Sequence, residues 1–320
     1  MTTQTPTSAP SPTPTPDAPL RIGARGSPLA MAQAIEARDR LMAAHGLAES
    51  AFTITAIATT GDNVQDRPLS EIGGKGLFTK ELEVALLDRR IDIAVHSMKD
   101  VATVLPAGLI IAALLPREDP RDAFISLRHE SFDALPRGAT IGTSSLRRGA
   151  QALARRPDLK VVGFRGNVQT RMRKLNEGVA DATFLAVAGL HRLRADITAA
   201  PIPDDVMLPA VAQGAIGIET RADDAATRRL LAPLNDPETT VLLTAERAFL
   251  RALDGSCRTP LAGLASLSGG RLRFRGEILR PDGARRHFTS REGAPEDAEA
   301  MGLDAAAELR AAGGPGFFDF

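Results

Sequence analysis

The chain has 320 residues, of which 43% are hydrophobic and 24% are charged, with 39 basic and 39 acidic side chains. That length exceeds the roughly 250–300 residues at which one hydrophobic core stops growing, so more than one domain is expected. The longest apolar run, residues 109–115, is too short to cross a bilayer. The single cysteine excludes a disulfide within the chain, and these features together favour a cytoplasmic protein without a membrane segment.

The first 19 residues form a compositionally distinct segment. They hold six prolines and six threonines, with no charge before Asp17 and no apolar run. Such a segment buries too little surface to offset its ordering entropy, so residues 1–19 are predicted to be a disordered tail. The segment also has neither the basic start nor the apolar centre of a secretory signal.

Beyond the tail, one order of elements occurs twice. A strand leads through a serine (Ser27 or Ser145) into a helix, and a second strand, a polar turn, another helix and a final strand follow. This pattern predicts an α/β fold with two lobes and mostly parallel sheets. The predicted strands and helices are 20–24, 52–58, 79–89 and 92–96 in the first half, and 140–143, 160–164, 170–177 and 181–186 in the second.

The rest of the chain predicts a return to the first lobe and a third domain. Residues 206–218 resemble a strand that crosses back from the second lobe. Strands at 264–267, 271–279 and 284–290, between helices at 239–253 and 295–311, indicate a small α+β domain. The expected division is 20–115 plus 215–236 for the first lobe, 116–214 for the second and 237–320 for the third domain.

Polar residues follow the buried strand that begins at residue 92. Lys99 and Asp100, preceded by His96 and Ser97, are placed beyond the carboxyl end of this strand, where open α/β sheets bind ligands. A plain polar loop is the alternative. The glycine run at 73–76 includes Lys75, which could meet an anion, but it lacks the spacing of a phosphate loop, so ATP use is disfavoured.

The segment 147–174 contains nine basic residues and one acid. It could be a solvated helix face or a nucleic-acid surface, yet the chain has no Trp or Tyr to stack bases. A basic surface that binds a small carboxylated ligand fits better. A guanidinium group binds a carboxylate through two parallel hydrogen bonds, and helix N-termini favour anions. The candidate residues are Thr143, Ser144, Ser145, Arg147 and Arg148 at one helix start and Arg165, Gly166, Asn167 and Arg171 at the other.

Cys257 lies in a glycine- and serine-containing loop next to Arg258. A lone cysteine is more often a small buried side chain than a nucleophile. The adjacent guanidinium would lower the thiol pKa, which favours a reactive thiolate. No second cysteine or paired histidine offers zinc ligands, so no metal is expected.

Several of these segments together resemble the porphobilinogen deaminase (hydroxymethylbilane synthase) family. Ala102 departs from the family pattern, since many members have proline there. The resemblance covers residues 20–315 and is carried by RGSPLA at 25–30, GGKGLFTKEL at 73–82, VHSMKD at 95–100, REDPRDA at 117–123, GTSSLRR at 142–148, RGN at 165–167, LPAVAQG at 208–214 and Cys257.

The resemblance implies a transferase of porphyrin and heme biosynthesis, with two periplasmic-binding-protein-like lobes and a third domain. Such an enzyme joins four porphobilinogen units head to tail on a dipyrromethane cofactor, attached here through a thioether to Cys257. It releases ammonia at each addition and then frees the linear tetrapyrrole by hydrolysis.

The family's roles map onto particular residues of this sequence. Asp100 would be the catalytic carboxylate that stabilises the azafulvenium cation left when ammonia departs. A monomer without nucleic-acid or membrane partners is expected, and a non-catalytic bilobed protein that binds a carboxylated ligand is the alternative. Substrate and cofactor would be held by Arg25, Ser27, Asp62, Lys75, Lys99, Thr143, Ser144, Ser145, Arg147, Arg148, Arg165, Gly166, Asn167, Arg171 and Gln213.

Overall fold

A computed structural model describes residues 13–63, 76–255 and 259–319, with residues 62 and 63 described by their backbone alone. Two five-stranded sheets form two lobes, and a three-stranded sheet forms a smaller third unit. The first part of the predicted tail, residues 1–12, lies outside the described residues. Residues 15–18 form a hydrogen-bonded turn just before the first strand.

The first sheet has the strand order β2-β1-β3-β10-β4. β1 pairs in parallel with β2 and β3, whereas β10 is antiparallel to both β3 and β4. Four of its five strands therefore point the same way. The strands are β1 (Leu20–Arg25), β2 (Phe52–Ile57), β3 (Ile93–Ser97), β4 (Leu109–Leu114) and β10 (Ile216–Arg221).

The second sheet repeats this plan with the order β7-β6-β8-β5-β9. Its single reversed strand, β5, is antiparallel to both β8 and β9. β5 and β10 are each the first strand after the chain crosses between the lobes, which explains why these two run against their neighbours. The predicted mostly parallel α/β lobes are confirmed. The strands are β5 (Asp122–Ser126), β6 (Thr140–Gly142), β7 (Lys160–Val162), β8 (Ala182–Ala186) and β9 (Ala200–Pro201).

Side-chain caps begin the first helix of each lobe. Ser27 accepts a hydrogen bond from the backbone N–H of Ala30, and Ser145 accepts one from that of Arg148. Each satisfies an N–H that the first helical turn leaves unpaired. The helices of the lobes are α1 (Pro28–His45), α2 (Thr60–Asn63), α3 (Lys80–Leu87), α4 (Leu146–Arg155), α5 (Val168–Asn176), α6 (Val187–Arg192) and α7 (Ala225–Leu231).

The third unit is the predicted α+β domain, an antiparallel meander covered by two helices. The pair Phe249 and Phe274, with ring centroids 5.0 Å apart, lies at the centre of its core. Its first strand begins at Leu261 rather than at the predicted residue 264. Residues 261–265 are all buried, so they lack the alternation of apolar and polar residues by which a strand is recognised in sequence. The elements are α8 (Pro237–Ala252), β11 (Leu261–Ser268), β12 (Arg271–Leu279), β13 (Arg286–Gly293) and α9 (Ala298–Gly313).

The predicted strand at 206–218 is wrong over most of its length, since the only strand in it is β10, which begins at Ile216, and residues 206–215 consist of turns and irregular backbone. The last of these turns requires glycine at position 214. Gly214 has φ of +90°, and a Cβ there would lie 2.3 Å from the carbonyl oxygen of Glu118. This segment crosses between the lobes, and turns satisfy some of its backbone groups without a sheet. Within the described residues, every helix is too short or too polar to span a membrane.

Candidate active site between the two lobes

Asp100 ends a short 3-10 turn, Met98–Asp100, that directly follows β3. Its carboxylate lies 3.6 Å from the guanidinium of Arg25, which ends the neighbouring strand β1. About a quarter of the Asp100 side chain is exposed (25%), whereas Met98 and Val101, which flank Lys99 and Asp100, are 1% and 3% exposed. Parallel strands end at one edge of a sheet, so Arg25 and Asp100 meet there and face open space.

The Arg25 guanidinium also lies over an aromatic ring. Its central carbon is 4.1 Å from the centroid of Phe78, within the range of a cation–π contact. Phe78 therefore helps to orient Arg25 beside Asp100, and sequence reasoning had given Phe78 no role.

Lys99 links the first lobe to the crossing segment. Its ammonium nitrogen lies 3.4 Å from the amide oxygen of Gln213. Burial lowers the pKa of Lys99 from 10.5 to about 8, helped by the positive charge of Arg148 and opposed by Asp100 and Asp122. Lys99 therefore stays mostly protonated at neutral pH but can release a proton under mildly alkaline conditions.

Gln213 continues this connection into the second lobe. Its amide nitrogen donates to the carboxylate of Asp122, 2.9 Å away, and to the carbonyl of Pro120, 2.7 Å away. Asp122 is the first residue of β5 and is fully buried. A chain of polar contacts thus runs from Lys99 through Gln213 to Asp122.

Asp122 is also the anion that two predicted ligand-binding arginines contact. Arg148 pairs with it at 2.7 Å and Arg147 at 2.8 Å, and the arginine side chains are only 8% and 5% exposed. Burial alone would raise the pKa of Asp122, but the two arginines hold it well below its usual range. Two cations around one carboxylate leave an excess positive charge.

Sequence reasoning missed Asp122. It had assigned the basic pair at the start of α4 to a bound ligand, whereas a buried carboxylate of the protein contacts both guanidiniums. Elsewhere in the basic segment, Arg155 pairs with Asp133 at 2.9 Å and Arg156 with Asp158 at 2.8 Å. The run of nine basic residues is therefore not one continuous basic surface, because much of its charge is paired within the lobe.

Arg165 and Arg171 supply further positive charge near Arg148. Arg165 reaches across to the first lobe, 3.4 Å from the carbonyl oxygen of Gly61. Arg171 donates to the carbonyl of Gly166 at 3.0 Å. Burial, together with the like charges of Arg148 and Arg165, lowers the pKa of Arg171 to about 10. Mutual repulsion among these cations favours an anion between them.

The predicted hydroxyl and amide residues build the helix starts in the second lobe. Thr143 accepts from the backbone N–H of Ser145, and Ser144 accepts from that of Phe164. Asn167 caps α5 by accepting from Thr170, and Gly166 before it has φ of +119°. The side-chain oxygens of Thr143, Ser144 and Asn167 accept hydrogen bonds from the backbone, and these residues lie at the N-termini of α4 and α5, which favour anions.

The sequence predicts that His96 lies with the polar residues beyond the end of β3, and this prediction is wrong. His96 lies within β3 and is buried, with its ring nitrogen 2.9 Å from the carboxylate of Glu219 on β10. It therefore lies in the interior of the first lobe.

Three predicted site residues cannot be placed. Cys257 and Lys75 lie outside the described residues, as does the side chain of Asp62. Helix α8 ends at Ala252, shortly before Cys257 in the chain. In the described ranges, no group of three or more His, Cys, Asp or Glu side chains is placed to hold a metal ion.

The fold and site define a bilobed α/β protein in which one lobe presents a carboxylate and the other presents basic groups at helix starts. Residues 20–229 match the family model "Porphobilinogen deaminase, dipyromethane cofactor binding domain", and residues 240–311 match "Porphobilinogen deaminase, C-terminal domain". The chain belongs to the porphobilinogen deaminase family.

Curated relatives agree with this assignment. A porphobilinogen deaminase of Paracoccus denitrificans is 61% identical over 306 residues, covering 95% of this chain and 98% of the relative. One of Nitrobacter winogradskyi is 56% identical over 298 residues, covering 93% and 94%. Among solved structures, phospholactate-bound PEB3 aligns with 71% of this chain and 97% of its own, at 11% identity and a TM-score of 0.43.

Proposed function

We propose that this chain joins four porphobilinogen units head to tail on a dipyrromethane held by Cys257. Ammonia leaves at each addition, and hydrolysis then frees the linear tetrapyrrole. The observation that carries the proposal is the partly exposed Asp100 carboxylate beside Arg25, within a polar network that runs through Lys99 and Gln213 to the basic residues of the second lobe. Membership of the family supports it.

The basic residues suit a substrate that carries carboxylates. Every porphobilinogen unit brings an acetate and a propionate, so a growing chain gathers negative charge. Arg171, whose pKa is lowered by burial and by neighbouring cations, gains a counter-charge when such a group binds. Paired N–H donors also fix the orientation of a carboxylate, which a lysine does less well.

Asp100 would act on the positive charge that forms when ammonia leaves. A carboxylate already held in place stabilises such a cation without reorganisation and can accept a pyrrole N–H. In its protonated form the same group could assist the departing amine. Arg25, 3.6 Å away, lies beside this carboxylate.

The residues present fit a covalently bound dipyrromethane. The excess positive charge around Arg147, Arg148 and Arg171 matches its carboxylates. Cys257 is the single thiol of the chain and would form the thioether. When bound, the dipyrromethane supplies the pyrrole carbon to which the next unit is joined. Substrate and cofactor would further be held by Ser27, Asp62, Lys75, Lys99, Thr143, Ser144, Ser145, Arg165, Gly166, Asn167 and Gln213.

The proposal also covers domain organisation and cellular setting. Residues 20–115 with 215–236 would form the first lobe, 116–214 the second and 237–320 the domain that carries Cys257. The protein would act as a cytoplasmic monomer on a small-molecule substrate.

Intact mass of the native protein under denaturing acid tests the proposal. We expect a covalent adduct with the mass of a dipyrromethane, absent from Cys257→Ala, together with consumption of porphobilinogen and release of ammonia. A protein of unmodified mass that binds porphobilinogen without consuming it would instead be a non-catalytic bilobed binding protein.

A further inference from the structure

The turn that carries Asp100 is anchored in the core of the third domain. Met98 and Val101, which flank the turn's polar residues, belong to the same buried cluster as Leu243 and Phe249 of α8. Asp100 itself remains partly exposed. The position of its carboxylate therefore depends on how the first lobe packs against α8.

Arg247 of α8 adds a directed contact to this packing. Its guanidinium donates to the carbonyl oxygen of Val101 at 3.1 Å and to that of Ala102 at 2.7 Å. Residues 101–107 contain no helix or strand that would hold their backbone in a fixed place. Burial lowers the pKa of Arg247 to about 10, with a further contribution from Arg251, so the group stays charged at neutral pH.

The preceding residue, Glu246, holds the crossing segment. Its carboxylate accepts from the backbone N–H of Ala212 at 2.6 Å and pairs with Arg117 at 2.6 Å. Arg117 in turn donates to the carbonyl of Gln213 at 2.9 Å. Two consecutive residues of α8 thus hold the loop after Asp100 and the crossing segment that contacts Lys99.

From this geometry we infer that Arg247 is a positioning residue for Asp100, which fixes the carboxylate by holding the two carbonyls that follow it. The inference rests on the proposed ring-coupling function. It ties the placement of Asp100 to the helix that leads, in the chain, to Cys257.

The change Arg247→Met tests this role, because it keeps much of the buried stem while removing the donors. A displacement of about 1 Å at the reacting groups can cost roughly 100-fold in rate. In steady-state assays of porphobilinogen consumption, we expect kcat to fall by about 10- to 100-fold, with KM changed by less than about threefold. The kcat of Arg247→Lys, which keeps the charge but not the paired donors, should lie between those of the wild-type protein and Arg247→Met.

The matched control is Arg251→Met, one turn further along α8. Arg251 is half-exposed and pairs with the exposed Glu299 at the surface, so its loss should leave the rate within about twofold. The intact mass of each variant is measured first, and rates are expressed per cofactor-loaded molecule. If Arg247→Met does not fold, Arg247→Lys carries the comparison.

A second substitution separates positioning from general stability. Val101 has extended backbone, with φ of −87° and ψ of 127°, which a following proline favours. The structure shows no hydrogen bond from the N–H of Ala102 to any described residue. Ala102→Pro should therefore restrict the loop without new contacts and restore roughly two- to fivefold of the rate lost in Arg247→Met.

Wild-type coupling in cofactor-loaded Arg247→Met would overturn the inference. The inference would also be overturned if the activity lost in Arg247→Met were due only to missing cofactor and Ala102→Pro did not restore it. If the wild-type protein itself consumes no porphobilinogen, the proposed function fails, and this inference falls with it.

Discussion

Asp122→Asn should destabilise the second lobe strongly. The substitution keeps size and one acceptor but removes the negative charge between Arg147 and Arg148, which are 5% and 8% exposed. Breaking a buried ion pair by removing one partner costs about 3–5 kcal/mol, because the remaining charge stays desolvated and unpaired. At roughly 2–4 °C per kcal/mol, the melting temperature should fall by at least about 6 °C.

The assay is thermal and urea unfolding of the cofactor-loaded protein, followed by circular dichroism. Asp133→Asn is the matched control in the same lobe, since Asp133 is 64% exposed and pairs with Arg155 at the surface. It should cost no more than about 1 kcal/mol. An Asp122→Asn protein with the same melting temperature as the control would refute the view that Asp122 stabilises the buried arginine pair.

The pH dependence of stability gives a second measure of the same contact. The pKa of Asp122 is lower in the folded than in the unfolded protein, whose ordinary value is 3.8. The unfolded state therefore binds the proton more readily, so this contribution is complete above about pH 4–5 and lost as the pH falls further. Asp122→Asn should flatten the acid side of the stability profile, whereas an unchanged slope would contradict the lowered pKa.

Three further outcomes are expected. Asp100→Asn should lower single-turnover ring coupling by roughly 10²–10³-fold with the cofactor retained, whereas Asp100→Glu should keep more activity; an Asn variant within a few-fold of wild type would exclude Asp100 as the stabilising carboxylate. Cys257→Ala should fold, show no covalent adduct by mass and melt below the loaded wild-type protein, because a ligand bound to the native state stabilises it. Arg171→Leu should stall chain extension, visible as shorter covalent intermediates by mass, with Arg171→Lys partly spared; full-length extension in both would remove the anion-binding argument.

The order of strands and helices could be predicted from local signals. Ser27 and Ser145 were recognised as caps because a helix start leaves N–H groups that a nearby hydroxyl satisfies. Element ends were less accurate, as at Leu261, where full burial removed the alternation that marks a strand. The crossing at 206–215 was mistaken for a strand, since its apolar composition does not distinguish a buried turn from an extended segment.

Contacts between distant residues were decided only by the tertiary structure. The sequence determined which residue types were available, including Asp100, Lys99, the arginines and the single cysteine. It did not reveal that Arg148 contacts Asp122, 26 residues away, that Gln213 contacts Asp122 across 91 residues, or that Arg247 contacts Val101 across 146. A charged residue looks the same in sequence whether water or a buried partner surrounds it, and only the packing of strands and helices brings such partners together in a medium that strengthens their interaction.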